Sequence, residues 1–235
     1  MRVLMLAAGI GKRLRPITEN IPKCLVPIGG KPLLLIWLER LSEAGFGPFL
    51  INTHYLHEKV NSLITDSPFR DQVTLAFEPN LLGTAGTLIE NIDFFQGEDG
   101  LVLHADNYCL ADLRAFRSAY QNRPEGCEMT MMIFKTDDPE SCGIVKLDER
   151  GVVVGYYEKS EDAHGNLANG AVYIFNKSLF CELKNMKISD ISTDIIGKYI
   201  GKINVWESNS YFCDIGVESR YKQACSWVEN KSEYD

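Results

Sequence analysis

The chain opens on a short apolar run, Val3-Leu4-Met5-Leu6, that breaks into Ala7-Ala8-Gly9-Ile10-Gly11-Lys12-Arg13. Apolar residues ended by glycine predict a strand buried on both faces, as in a parallel sheet. Gly9 and Gly11 let the backbone turn tightly and approach an anion with its N–H groups. Lys12, Arg13 and Arg15 add positive charge to the same loop, and Lys23 follows behind Pro22, which holds it against that space. A plain turn needs the glycines but not this density of cations, so the loop reads as a phosphate cradle. It is not a P-loop, because G-x-x-x-x-G-K-[ST] is absent. Nor is it a dinucleotide fingerprint, since Leu14 stands where the third glycine belongs.

The first half goes on alternating helix and strand. Leu34, Trp37, Leu38 and Leu41 are spaced for a helix over 33–44 that stops near Gly45. Strands are predicted over 48–52, 73–77 and 101–104, with helices over 57–64, 84–92 and 112–120. This βαβα rhythm implies a parallel sheet with helices on both faces. The second half is richer in strands, at 129–135, 144–147, 152–157, 171–175, 202–206 and 211–213. Glu149-Arg150-Gly151 supplies a hairpin turn between two of them. Helices are expected over 178–183, 193–199 and 218–228, with a polar, frayed tail after Val228. One mixed α/β domain with a β-rich subregion is the simplest reading, its parts dividing near residues 125 and 216.

A net charge of -8 and a pI of 5.1 argue against nucleic acid as partner, yet leave room for a nucleotide, for which a few local cations suffice. The seven cysteines form no CxxC pair and read as reduced thiols of a cytoplasmic protein. The four histidines do not cluster with them at zinc-ligand spacing, and the His54/His57 pair is expected on the surface at a helix start. No apolar run is long enough for a membrane helix, and the start is too short for a secretory signal.

Leu6 to Leu14, Pro22-Lys23, Pro27 and Lys31-Pro32 resemble the signature of sugar-1-phosphate nucleotidylyltransferases. Further segments fall in that family's order: Glu78 with Leu82-Gly83-Thr84-Ala85-Gly86, then Asp106, Glu158-Lys159 and Asp214-Ile215-Gly216. The look is nearest to mannose-1-phosphate guanylyltransferase-like catalytic domains. The resemblance implies a Rossmann-like α/β fold of the GT-A kind, with a mixed, mostly parallel central sheet and a β-rich sugar-binding part. It implies binding of a nucleoside triphosphate by Leu6, Ala7, Ala8, Gly9, Gly11, Lys12, Arg13 and Lys23, and by Glu78, Gly83, Thr84 and Asp106. Arg13 and Lys23 would grip the triphosphate and the α-phosphate under attack, as the catalytic pair.

Asp106 follows a strand's carboxyl end, where open α/β sheets place ligands, and Asp214 ends a late strand. Two carboxylates from distant sequence suit Mg²⁺ bridging phosphates, the implied cofactor. Glu158 and Lys159 would meet the sugar hydroxyls and the sugar phosphate. Asn107, Gly143 and Asn169 are assigned to the same sugar 1-phosphate, the glycine by permitting close approach and Asn169 by an amide that both donates and accepts. One departure is Ala105, where the family usually has glycine before its first metal-binding aspartate.

Glu78 bears on the base. Relatives that use uracil or thymine resemble a glutamine there, whereas a carboxylate only accepts and matches the N1–H and N2–H₂ donors of guanine. GTP is therefore favoured, with UTP, dTTP or CTP as alternatives. The sugar is not legible, and mannose, heptose and amino-sugar phosphates all suit the residues. The left-handed β-helix repeats of longer relatives are absent, and the oligomeric state is open. A non-catalytic sugar-nucleotide-binding subunit is the competing reading, although none of Arg13, Lys23 and the aspartates is missing. A glycosyltransferase would call for Asp-x-Asp, which Asp106-Asn107-Tyr108 does not supply.

Overall fold

The computed structural model describes residues 1–161 and 164–232, the last two by backbone only. The strands run β1 (Arg2–Leu6), β2 (Pro27–Ile28), β3 (Lys31–Pro32), β4 (Phe49–Thr53), β5 (Val73–Phe77), β6 (Gly100–His104) and β7 (Asn107–Cys109). They continue with β8 (Met129–Lys135), β9 (Gly143–Leu147), β10 (Val153–Glu158), β11 (Leu167–Phe175), β12 (Ile203–Glu207) and β13 (Phe212–Asp214). The helices are α1 (Leu33–Glu43), α2 (His57–Thr65), α3 (Thr84–Glu90), α4 (Leu113–Gln121), α5 (Lys177–Leu183) and α6 (Glu218–Ser232). The described residues form two compact units, one of residues 3–81, 104–110 and 211–232, the other of residues 1–2, 82–103, 111–161 and 164–210.

In the first unit β1, β4 and β5 pair in parallel, Val3 with Phe49 and Phe49 with Val73. All five residues of β4 are buried, which is why Phe-Leu-Ile-Asn-Thr carries no alternation of polar and apolar. Helix α1 buries Leu33, Leu34, Trp37, Leu38 and Leu41, the stripe expected of an amphipathic helix. Trp37 is 1% exposed, and its Nε1–H donates to the carbonyl of Asn107 at 2.8 Å, fixing α1 on β7. Burying a side chain of this size contributes roughly 2–3 kcal/mol. Helix α6 is anchored by buried Ala224 and by Tyr221, whose hydroxyl donates to Pro27 O at 3.0 Å. It continues through Ser232, so the fraying expected after Val228 does not begin there, and the end of that tail lies outside the described residues.

In the second unit β11 is antiparallel to β6, β8 and β9, β10 is antiparallel to β9, and β12 runs parallel to β8. The β9–β10 turn forms as expected: Asp148 Oδ1 accepts from Arg150 N and Val152 N, both at 2.9 Å. Asp112 caps α4 through Arg114 N and Ala115 N. The helix expected over 193–199 is instead a π-helical stretch, Ile191–Ile196. Asp190 Oδ1 takes Thr193 N, and Asp194 Oδ2 takes Ser189 N and Asp190 N, so side chains compete with the α-helical ladder at its start.

The α/β class and the mixed sheet stand as the sequence implied, with parallel pairing concentrated in the first unit. Among the described residues no helix is long and apolar enough to cross a membrane.

Candidate active site

The first unit gathers the cradle at the carboxyl ends of its parallel strands. Leu6, Ala7 and Ala8 are buried where β1 ends, while Gly9 is exposed. Ala7 N donates to Asn52 Oδ1 at 2.7 Å, and Asn52 Nδ2 donates to Glu78 Oε1 at 2.9 Å. One buried amide at the end of β4 thus ties the loop to the carboxylate after β5. Glu78 is only 5% exposed, so it is not a solvated charge at a strand end. Its carbonyl accepts from the His54 ring at 2.7 Å. His54 and His57 are half-buried, and His57 opens α2 against the ring of Phe77.

The two glycines differ. Gly11 has φ +67, and a methyl group there would crowd Thr18 at 3.1 Å and Lys23 Cβ at 3.2 Å, so this turn needs glycine. Gly9 has no left-handed φ and a methyl group would meet open space. The tight turn expected of both belongs to Gly11 alone, and Gly9 leaves the outer face of the loop bare. Lys12, Arg13 and Arg15 are exposed on the loop.

Lys23 is buried, and its ammonium donates to Asp106 Oδ2 at 2.7 Å and to Asp214 Oδ1 at 3.2 Å. The two aspartates meet because β13 pairs antiparallel with β7, setting Asp214 opposite Asn107. Arg13 joins them: a methyl group on Gly216 would lie 3.0 Å from Asp214 Oδ1 and 3.2 Å from Arg13 Nη2. Ala105 is fully buried and donates its N–H to Leu6 O at 3.0 Å.

Burial alone would lower the Lys23 pKa, but Asp106 and Asp214 outweigh it and raise the ammonium above its ordinary value. Burial likewise opposes the charge on Asp106, yet Lys23 and then His104 hold its carboxyl below the usual range. Cys24, next to Lys23, is pushed up to about 12 by burial and by Asp106, and is an inert thiol.

The depressed Asp106 contributes stability that is present above its unfolded pKa near ~3.9 and lost as pH falls through the lower folded value. The raised Lys23 contributes below its ordinary pKa, and that stability is lost as pH rises through the folded value. Urea midpoints measured from about pH 5 down to about pH 2 should therefore fall less steeply in Asp106→Asn than in the parent. Parallel curves would remove Asp106 as an acid-side stabiliser.

In the second unit Gly83 has φ +79, and a methyl group there would lie 2.3 Å from Ser189 O. Thr84 Oγ1 donates to Asp190 Oδ2 at 3.1 Å and accepts from Ile191 N at 2.8 Å, fastening the start of α3. Elsewhere in this unit Gly143, Glu158 and Asn169 come together, with Lys159 Nζ 3.6 Å from Glu158 Oε1. Asn107, grouped in sequence with these residues, sits in the first unit beside the aspartates and is buried.

Three side chains were missed: Asn52, Tyr156 and Tyr173. A polar residue in a strand buried on both faces is the signal that marks Asn52. Tyr156 lies two residues before Glu158 and so on its face of the strand, whereas nothing in the sequence singles out Tyr173.

The family model for nucleotidyl transferases matches residues 2–231. The chain belongs to this family. It is an enzyme of the sugar-1-phosphate nucleotidylyltransferase class, as its motif series implied. The D-glycero-alpha-D-manno-heptose 1-phosphate guanylyltransferase of Aneurinibacillus thermoaerophilus is 28% identical over 228 residues, spanning 95% of this chain and 96% of its own. The UTP–glucose-1-phosphate uridylyltransferase of Synechocystis is 32% identical over 97% of this chain, which matches 63% of that protein's length. A solved UDP-glucose pyrophosphorylase with UDP-glucose shares the fold, with a TM-score of 0.84 over 98% of both chains at 23% identity. Guanylyl- and uridylyltransferases stand side by side among these relatives, so membership of the family leaves the base open.

Proposed function

We propose that this nucleotidyl transferase passes the nucleotidyl group of GTP to a sugar 1-phosphate, mannose or heptose 1-phosphate being the first to try. The observation that carries the reading is the cluster of Lys23, Arg13, Asp106 and Asp214 beside the Gly11 turn. An oxygen of the sugar phosphate attacks the α-phosphorus. The bond from that phosphorus to the bridging oxygen breaks, and pyrophosphate leaves with the electron pair. The attacking group is already anionic, so no general base is required, and catalysis rests on alignment and charge neutralisation.

In this reading the exposed loop from Gly9 to Arg13 cradles the triphosphate, and Arg13 and Lys23 neutralise the α-phosphate. Gly83 and Thr84 serve the nucleotide; Asn107, Gly143, Glu158, Lys159 and Asn169 serve the sugar phosphate. The donor set fits Mg²⁺: two carboxylates, both hard oxygen ligands, already converge on one cationic group. Asp106 and Asp214 would hold the ion, whose chemistry when bound is to offset the negative charge of the phosphates. All seven cysteines are free thiols, which suits a reducing cytoplasm.

Support for guanine comes from Glu78, a buried carboxylate held in place by the Asn52 amide. A buried acceptor opposite a uracil or thymine carbonyl is repulsive, whereas guanine presents donors. Glu78→Gln should lower kcat/KM for GTP by about 10²-fold and raise it for UTP or dTTP, because a site built for one hydrogen-bond pattern rejects another strongly. Unchanged base preference would sink the assignment.

The reaction itself is tested by a pyrophosphate-release panel of four NTPs against several sugar 1-phosphates, with and without Mg²⁺. Release from a GTP pair is expected. No release from any pair would favour a sugar-nucleotide-binding subunit instead.

A further inference from the structure

Glu158 is held by a phenol. Tyr156 and Glu158 project from the same face of β10, and the Tyr156 hydroxyl donates to Glu158 Oε2. Asn169 Nδ2 donates to the Tyr156 oxygen at 3.3 Å and to the Tyr173 oxygen at 2.8 Å. Tyr173 is fully buried. Burial, and then Glu158, push the Tyr156 phenol up, so it remains a neutral donor at physiological pH.

The arrangement explains Gly143, which stands opposite Glu158 on β9. A methyl group there would lie 2.0 Å from the Tyr156 hydroxyl and 2.7 Å from Glu158 Oε2. Glycine at 143 thus makes room for Tyr156 beside Glu158. An acceptor-only carboxylate on a rotatable side chain samples many orientations unless a donor fixes it. Tyr156 fixes one oxygen, and its own hydroxyl is in turn held by Asn169. The other oxygen, Oε1, faces Lys159.

We propose that Tyr156 is a positioning residue for sugar recognition: it locks Glu158 Oε2 and presents Oε1 to a hydroxyl of the sugar. The proposal rests on the reaction assigned above and names the residue that sets its selectivity among polyhydroxylated sugar phosphates. Tyr173 and Asn169 form the layer that orients Tyr156. The preferred ligand is a sugar ring whose hydroxyl donates to a fixed carboxylate oxygen, so the matching deoxy sugar phosphate is a poor substrate.

Tyr156→Phe removes only the hydroxyl. Its KM for the best sugar 1-phosphate is expected to rise about tenfold, while KM for the NTP and kcat change by less than about twofold. A structural role alone would not divide the two substrates in this way. In a Glu158→Gln background, Tyr156→Phe should have no further effect on the sugar KM, because the two act as one unit. The parent should lose as much on the deoxy sugar phosphate as Tyr156→Phe loses on the full sugar. An unmoved sugar KM, an equal rise in both KM values, or additive effects in the double variant would overturn the proposal while leaving the reaction standing. A parent that releases no pyrophosphate with any pair would sink the reaction assignment, and this inference with it.

Discussion

Asp106→Asn is expected to lower Mg²⁺-dependent pyrophosphate release by at least two to three orders of magnitude, about the loss seen when one preorganised electrostatic partner is removed from a phosphoryl or acyl transition state. Asparagine keeps the size of the side chain but not its charge, and a neutral amide is a poor ligand for a hard divalent ion. The protein should stay folded. Lys23 keeps Asp214 at 3.2 Å, so its buried ammonium is not orphaned. The stability cost should stay below the roughly 3–5 kcal/mol of stranding a buried charge. Turnover across a Mg²⁺ titration, with a thermal melt of the same sample, checks both halves. Activity within a few fold of the parent would remove Asp106 from the metal-binding role. A collapsed melt would show the carboxylate to be structural first.

Gly83→Ala carries the largest expected effect on stability. Its backbone is left-handed, and a methyl group would sit 2.3 Å from a backbone carbonyl, that of Ser189, which cannot swing away as a side chain can. Strain at such a φ and overpacking each cost about 1–3 kcal/mol, so a loss of about 2–5 kcal/mol is expected in urea unfolding. Gly30→Ala separates the two contributions. Gly30 has φ +77 but open space around its Cα, so it should lose only the conformational part. Equal losses at the two positions would show that the contact with Ser189 O gives way without cost. Because Thr84 is fastened to Asp190 and Ile191 beside that carbonyl, KM for the NTP should rise in Gly83→Ala more than in Gly30→Ala.

Much of this architecture was legible because period and punctuation are local. The run before Gly9 reads as a buried strand, the stripe from Leu33 to Leu41 as a helix, and Glu149-Arg150-Gly151 as a turn; each forms as read. The π-helical stretch was not legible, since its shape follows from Asp190 and Asp194 capping backbone N–H groups at its own start. Gly9 and Gly11 look alike in the sequence, and only φ and neighbouring atoms tell the turn glycine from the bare one. Likewise Gly143 reads as a place of close approach, and only the fold shows that a tyrosine of the next strand packs against it.

The order of motifs from Leu6 to Gly216 determined the family, hence the fold and the class of reaction, because such a series carries chemistry at each position regardless of how the loops are drawn. Only the tertiary structure decided which groups meet. Asp106 and Asp214 stand more than a hundred residues apart and converge through the pairing of β13 with β7, a three-residue strand too short to carry a clear sequence pattern. Asn52 links Ala7 to Glu78 because parallel strands align their carboxyl ends. Lys23 reads in the sequence as a cation of the phosphate loop, and only the fold shows that it lies buried between two carboxylates. Charge in a low-dielectric setting is held by its partners, and partners are a property of the folded chain, not of spacing along it.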